Sequence, residues 1–465
     1  MPGFVPVRTF LQVLGFIYFI AFTSFGKQAP GLIGSHGIVP FQDFLNAVRS
    51  SLGSSGYWQV PSVLWLHPTD GALRTVWILG AAAALVAIFA PWKRTALAVC
   101  LVLWVSICSI GQDFLSFQWD VLLSEAGFLA IFADNGRVRV WLFRWLLFRL
   151  MFFSGVVKLA SHDETWRNLT ALSFHYWTQP LPTPLAWLAE QLPRWSQKIS
   201  TAMVFVIELA VPFLFFAPRK LRLIGAWATV GLQILILATG NYTFFNFLAI
   251  ALVIWLIIEP VRSSPVNEPV PPSPVNEPIR AATVRERVLD IFLVVIVGLI
   301  SALLFLQLFS VPLPPGGAEV LHLAEPFRIV NSYGLFAVMT TSRAEIIVEG
   351  SDDGLNWKAY EFPYKPGNVL RAPPVIQPDQ PRLDWQMWFA ALGSYQENRW
   401  FVNFLVRLLQ GEPAVLRLLQ YNPFPKAPPK YIRARSFLYH FTKFGERGWW
   451  TRQEQGIYFP PVSLK

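Results

Sequence analysis

Charge is what this chain has least of. Of its 465 residues 14% are Asp, Glu, Lys or Arg, against roughly a quarter in soluble domains. Meanwhile 54% are hydrophobic and 15% aromatic, and the mean hydropathy is +0.43. That balance excludes an ordinary water-soluble globule and fits a polytopic membrane protein with a soluble remainder. Cysteine is scarce too: Cys100 and Cys108 are the only two. They lie inside one apolar run, where neither a structural disulfide nor a metal or redox site of C-x-x-C spacing is supported. There is no G-x-S-x-G, no H-E-x-x-H and no phosphate loop, so the chain does not read as a lipase, a zinc protease or a nucleotide-driven pump. Nor is a cleavable signal peptide expected, because nothing near the start resembles a small-residue cleavage site. Arg8 leads directly into a full-length apolar run, which is expected to act as the insertion signal.

What is present is a series of apolar runs close to the spanning length of about 20 residues: 10–25, 72–90, 95–110, 121–133, 141–159, 202–217, 224–239, 244–258 and 290–308. Nine crossings are expected, the short 121–133 included. The net charge of +10 is concentrated in clusters flanking these runs and is not spread along one polar face, which argues against a nucleic-acid partner. With a cytoplasmic N-terminus, the clusters at 91–94, 137–144, 219–222 and 262–287 all fall inside, as the positive-inside rule requires. Residues 26–71, 111–120, 160–201, 240–243 and everything after 309 are then outside, in a periplasm or an ER lumen.

Four regions are expected: a transmembrane bundle over 1–260 with outer loops 26–71 and 160–201, a Pro-rich cytoplasmic linker over 261–283, a last transmembrane helix over 284–310, and an extracytoplasmic domain over 316–465. The linker carries the near-repeat SSPVNEPVPPSPVNEP, whose prolines prevent a core. In the last region, AEIIVEGSDDGLNWKAYEF alternates apolar and polar residues about an Asp-Gly turn and reads as a β-hairpin. Further strands are expected at 327–330 and 431–439, with helices at 383–392 and 401–420. The predicted fold is an α-helical polytopic membrane domain followed by a mixed, mainly β, sandwich-like domain.

Ionisable residues inside a bilayer cost roughly 2.5–3.5 kcal/mol each on insertion scales and therefore seek partners or a function. Glu125, Lys158, Glu208, Gln233 and Asn246 fall at comparable depth near the outer boundary and suggest an intramembrane pocket opening outward. Lys158 is either paired with a carboxylate or a desolvated base, with Glu125 or His175 assisting. Arg149 is expected to pair with a carboxylate, Glu208 being the candidate. No metal site is expected: His162, Asp163 and Glu164 are adjacent and cannot face one ion, and read as the start of a helix. The segment Ser173–Pro180 holds aromatics with one polar edge before three prolines. It is either an interfacial belt or an aromatic edge that docks an unfolded client. The candidate client-binding residues are Trp166, His175, Tyr176, Trp177, Gln179, Trp357, Trp385 and Trp388. Asn168-Leu169-Thr170 and Asn241-Tyr242-Thr243 match the glycosylation sequon and fall outside.

The stretches WDVLLSEAGFLAIF, FRLMFFSGVVKL with TWRNLTALSFHYWTQPLPTP, ELAVPFLFF, TGNYTFFN, NSYGLFAVMTTSRAEIIVEGSDDGLNW, LDWQMWFAAL and KYIRARSFLYHFT together resemble the lipase maturation factor family. That resemblance implies an ER membrane chaperone that helps secreted, dimeric lipases reach an active state, with a secreted client and membrane lipid as partners and no cofactor. The low cysteine count implies a bacterial-type member, in an inner membrane. A shorter stretch, SGVVKL with Trp166 and LTAL, is similar to vitamin K-dependent γ-carboxylases and their horizontally transferred transmembrane relatives. It implies the alternative of an enzyme acting on a quinol or lipid with Lys158 as base.

Overall fold

The computed structural model describes residues 4–261 and 284–464; beyond Val261, the proline-rich linker expected at 261–283 lies outside the described residues. The first part is helical: α1 (Phe4–Leu32), α2 (Phe41–Leu52), α3 (Asp70–Phe89), α4 (Lys93–Ile110), α5 (Gln118–Ile131), α6 (Arg137–Ala160), α7 (Ala171–Thr178), α8 (Pro184–Glu190), α9 (Arg194–Phe205), α10 (Arg219–Thr239), α11 (Phe245–Ile257) and α12 (Val284–Leu308). Seven helices among the described residues are long and apolar enough to cross a membrane: α1, α3, α4, α6, α9 with its extension to Phe216, α10 and α12. The chain forms an integral membrane protein.

Two of the nine expected crossings correspond to helices shorter than a full span. The runs 121–133 and 244–258 form α5, of 14 residues, and α11, of 13. At 1.5 Å per residue each is about 20 Å long, short of the ~30 Å hydrocarbon layer. Both are among the most deeply packed helices, with Leu122, Leu123, Ala126, Leu248, Leu252 and Trp255 buried. Apolar composition there marks a helix surrounded by other helices.

The extension of α9 has a local cause. Pro212 has no N–H to give the helical ladder, and the chain passes through a π-turn at Val206–Ala210 into a 3-10 segment at Val211–Phe216. Glu208 sits on that π-turn.

One face of the bundle gathers cations onto helix C-termini. Lys93 Nζ donates to Ala87 O (2.9 Å) and Ile88 O (2.7 Å) at the end of α3. Arg144 donates to Trp255 O (3.1 Å) and Ile258 O (2.6 Å), and Arg222 to Leu256 O (2.6 Å), at the end of α11. These contacts satisfy the last carbonyls and oppose the helix dipole. Arg139 binds Asp290 of α12 at 3.1 Å. The clusters 93–94, 137–144 and 219–222 thus lie together, and the C-terminal domain covers the opposite end.

That domain holds one antiparallel sheet, β1 (Arg343–Ser351), β2 (Lys358–Ala359), β3 (Tyr431–Phe441) and β4 (Trp450–Val462), in the order β2-β1-β3-β4. The described residues show no second sheet. In place of the expected sandwich, α13 (Arg382–Ala390) and α14 (Arg399–Leu409) supply the second layer, α14 burying Trp400, Phe401, Phe404, Leu405, Leu408 and Leu409. The expected strand at 327–330 is instead a 3-10 turn at Glu325–Phe327 followed by left-handed Arg328. The second arm of the expected hairpin is confined to β2. Strand β4 is not announced by the sequence because the run Thr451–Gln455 is polar and exposed.

Both faces of the sheet are covered. Ile346, Val348, Ile432, Ala434 and Phe459 belong to one apolar core continuous with the bundle. On the other face Phe437, Tyr439, Phe441 and Trp450 pack with Trp177 and Ala186 from the outer loop.

Candidate functional site

The polar residues expected to share one pocket are instead engaged in separate pairings. Lys158 Nζ, at the end of α6, donates to Glu208 Oε1 (3.0 Å) and Oε2 (2.8 Å) and to Ser154 O (3.0 Å). It also lies 5.3 Å from the Trp166 ring centre. An ammonium has three donors, and here all three have acceptors. Gln233 accepts from Asn246 Nδ2 at 2.8 Å and faces Met151 Sδ at 3.9 Å. Arg149 pairs with Glu125, not with Glu208, because Lys158 already occupies Glu208.

Glu125 links the bundle to the C-terminal domain. Its Oε2 accepts from Asn331 N (2.9 Å), Asn331 Nδ2 (3.0 Å) and Tyr333 OH (2.7 Å), while Arg149 Nη1 donates to Asn331 O (2.7 Å). The residues just after the missing strand therefore give their polar groups to the bundle. A second linkage lies nearby: Arg382 makes a two-pronged pair with Asp120 (2.8 and 2.9 Å) and donates to Phe114 O (2.6 Å). Its guanidinium lies about 6 Å from the ring centres of Phe25, Trp104 and Phe117.

The aromatic segment is clasped in the same way. Arg343 donates to Trp177 O (3.0 Å), Pro180 O (2.8 Å) and Gln179 O at the end of α7, and pairs with Glu345 at 2.7 Å. Trp388 Nε1 donates to Thr178 O at 2.8 Å. Gln179 accepts from Tyr242 OH at 2.9 Å, and the same hydroxyl is 3.2 Å from His175 Nε2. Burial and then the Lys158 charge lower the His175 pKa from 6.5 to about 4, so its imidazole is neutral at pH 7. Within α13, burial raises Asp384 to about 6 although the Lys365 and Tyr364 amides favour its charged form.

These contacts turn most of Ser173–Pro180 inward, away from both a lipid interface and a docking edge. Trp166, Trp177, Gln179, Trp385 and Trp388 are all buried, in the seam between bundle and C-terminal domain. His175, Tyr176 and Trp357 are half-buried, and Arg433 stacks on Trp357 at 4.1 Å. Exposed apolar side chains do remain on this side, at Leu185, Leu188, Leu192, Trp195 and Phe444. The Asp163 carboxylate caps a single helical turn at Glu164–Arg167 and accepts from Met339 N at 2.9 Å. His162 contacts Arg167. The two sequons differ: Asn168 is exposed, whereas Asn241 is buried and bonded to Leu181, Pro374 and Ile376.

Comparison with known proteins agrees with this two-part build. Residues 5–262 match the lipase maturation factor transmembrane domain and residues 329–460 the lipase maturation factor C-terminal domain. The chain is 38% identical to Lipase maturation factor 2 of Gallus gallus, covering 99% of this chain and 81% of that protein. It is 36% identical to Lipase maturation factor 2 of Homo sapiens (99% and 83%) and 32% identical to Lipase maturation factor 1 of Bos taurus (97% and 88%). No solved structure matches. Neither matching domain model describes a carboxylase.

Proposed function

Because this chain belongs to the lipase maturation factor family, we propose that it is a membrane-resident maturation factor that helps a secreted lipase fold or assemble. The observation that carries this reading is likeness to proteins of that name through both the transmembrane part and the C-terminal domain. The side-chain chemistry is compatible with it. Lys158 has its donors filled, and Glu125, Asp120 and Arg382 hold two parts of one chain together, which is the work of a scaffold.

In this reading the C-terminal domain and the outer loop face the compartment where the client folds, and the basic face is cytoplasmic. In a eukaryotic cell that places the protein in the ER membrane; in a bacterium the corresponding place is the inner membrane. Client contact falls to the accessible parts of that side, the half-buried Tyr176 and Trp357 among them. No cofactor is required.

The test is complementation. Cells lacking their own factor are given this chain and a secreted lipase, with a mammalian relative as positive control, and lipase activity per mass of secreted lipase is measured. Restoration to near the control level is the expected result. Inactive lipase in the presence of well-expressed chain, with the control active, overturns the reading.

A further inference from the structure

A groove of about 620 Å³ runs along the membrane-facing surface between α6, α12 and the end of the α9 extension. Its floor is aromatic: Trp141 stacks on Phe216 with ring centres 5.3 Å apart, and Trp145 lies 6.4 Å from the same ring. The opposite wall is Val294, Val297 and Gly298. A Cβ at Gly298 would meet no heavy atom within 4 Å, so the absent side chain leaves real space. The lining is apolar with one exception, Arg137, at the end of the groove that belongs to the basic face.

Arg137 is exposed and forms no ion pair among the described residues. Its neighbour Arg139 is already held by Asp134 and Asp290, and Glu286 on α12 has a contact of its own. Arg285 and Arg287 add exposed cations in the first turn of α12. From Arg137 to Trp145 the groove extends about 12 Å at 1.5 Å per residue along α6, the length of the upper half of an acyl chain.

We propose that this groove is a binding site for one anionic glycerophospholipid, its phosphate on Arg137 and an acyl chain over Trp141, Trp145 and Phe216 beside Gly298. An apolar slot within the membrane layer that ends in an unpaired guanidinium matches the two chemistries of such a lipid in the order in which the bilayer presents them. A zwitterionic lipid fills the slot equally well but brings a choline or ethanolamine cation to the same arginines. The site is remote from the seam and independent of the client reading.

The experiment is native mass spectrometry of the full chain, released from mild detergent after exchange with phosphatidylglycerol or phosphatidylcholine of matched acyl chains. One phosphatidylglycerol per chain is expected, retained at least fivefold more than phosphatidylcholine. Arg137→Gln removes the preference, Arg137→Lys keeps most of it, and Gly298→Phe, which fills the slot, abolishes retention of both lipids. Should Gly298→Phe lower the unfolding temperature, Val294→Trp fills the same space from the rim. Equal retention of the two lipids, or an undiminished preference in both Arg137→Gln and a slot-filling variant, overturns the proposal. So does displacement of the lipid by millimolar inorganic phosphate alone, which would mean a free-anion site, or a dimer that a slot-filling variant dissociates, which would mean that a second copy occupies the groove.

Discussion

Lys158 and Glu208 show why a buried ion pair must be tested from both sides. Removing one partner leaves an uncompensated charge in a low-dielectric setting and typically costs about 3–5 kcal/mol, whereas replacing both with apolar residues is often neutral. Lys158→Ala is therefore expected to lower the folded yield and the unfolding temperature in detergent. The double variant Lys158→Leu with Glu208→Leu should recover both, together with client maturation per folded molecule. A double variant that is stable yet inactive would return Lys158 to a chemical role. His175 gives a pH signature. Its pKa is lowered from 6.5 to about 4 by burial and by Lys158, so between those values the unfolded chain binds more protons than the folded one. The contribution is fully present above about pH 6.5 and is lost as the pH falls toward 4. Thermal unfolding from pH 8 to 4.5 should show a steeper acid-side decline in the wild type than in His175→Gln. Asp384, raised to about 6, acts in the opposite sense, which is why the comparison with the variant carries the test.

Among the elements, the turn after α10 is the most tightly specified. A Cβ at Gly240 would overlap Gln179 Oε1 and the Tyr242 ring, so Gly240→Ala forces the 176–182 clasp open. A loss of about 1–3 kcal/mol is expected from such overpacking, read as a lower unfolding temperature and faster proteolysis near residue 180. Most elements were legible in the sequence because their signals are local: seven of the apolar runs, the Asp-Gly turn, and the helical spacing of α13 and α14. What was missed depends on distant partners. Apolar composition alone does not announce that α5 and α11 are short and enclosed by other helices, since a helix enclosed by helices and one enclosed by lipid carry the same residues. Nor can the sequence around Trp177 announce its burial, because the covering groups, Arg343 and Trp450, come from the far end of the chain. The depth of Glu125, Lys158 and Glu208 was readable, but who pairs with whom was set by packing, including the π-turn that carries Glu208.

At the scale of the whole molecule the two matched domains are not separable modules. Ending the chain at residue 315 removes every C-terminal partner of Glu125 and Asp120 along with the domain itself. The truncated bundle is expected to be less stable than the full chain, with loss of monodisperse material in gel filtration as the readout. Arg382→Ala should give a milder form of the same defect, with accelerated cleavage between the two parts. Orientation has a simple test in a glycosylating host: modification at Asn168 but not at the buried Asn241, abolished by Asn168→Gln. An unmodified chain whose cysteine-tagged basic face is labelled from outside would reverse the assignment. The Asp120–Arg382 pair also has a consequence in time. Its partners are 262 residues apart, and at about 5–20 residues per second a ribosome takes roughly 13–50 s to travel between them. During that interval the helix bearing Asp120 is in or at the bilayer with its carboxylate unanswered, so every newborn copy passes through a stage in which α5 waits on a residue made much later. A chain terminated before residue 382 therefore keeps the Asp120 carboxylate without its guanidinium partner.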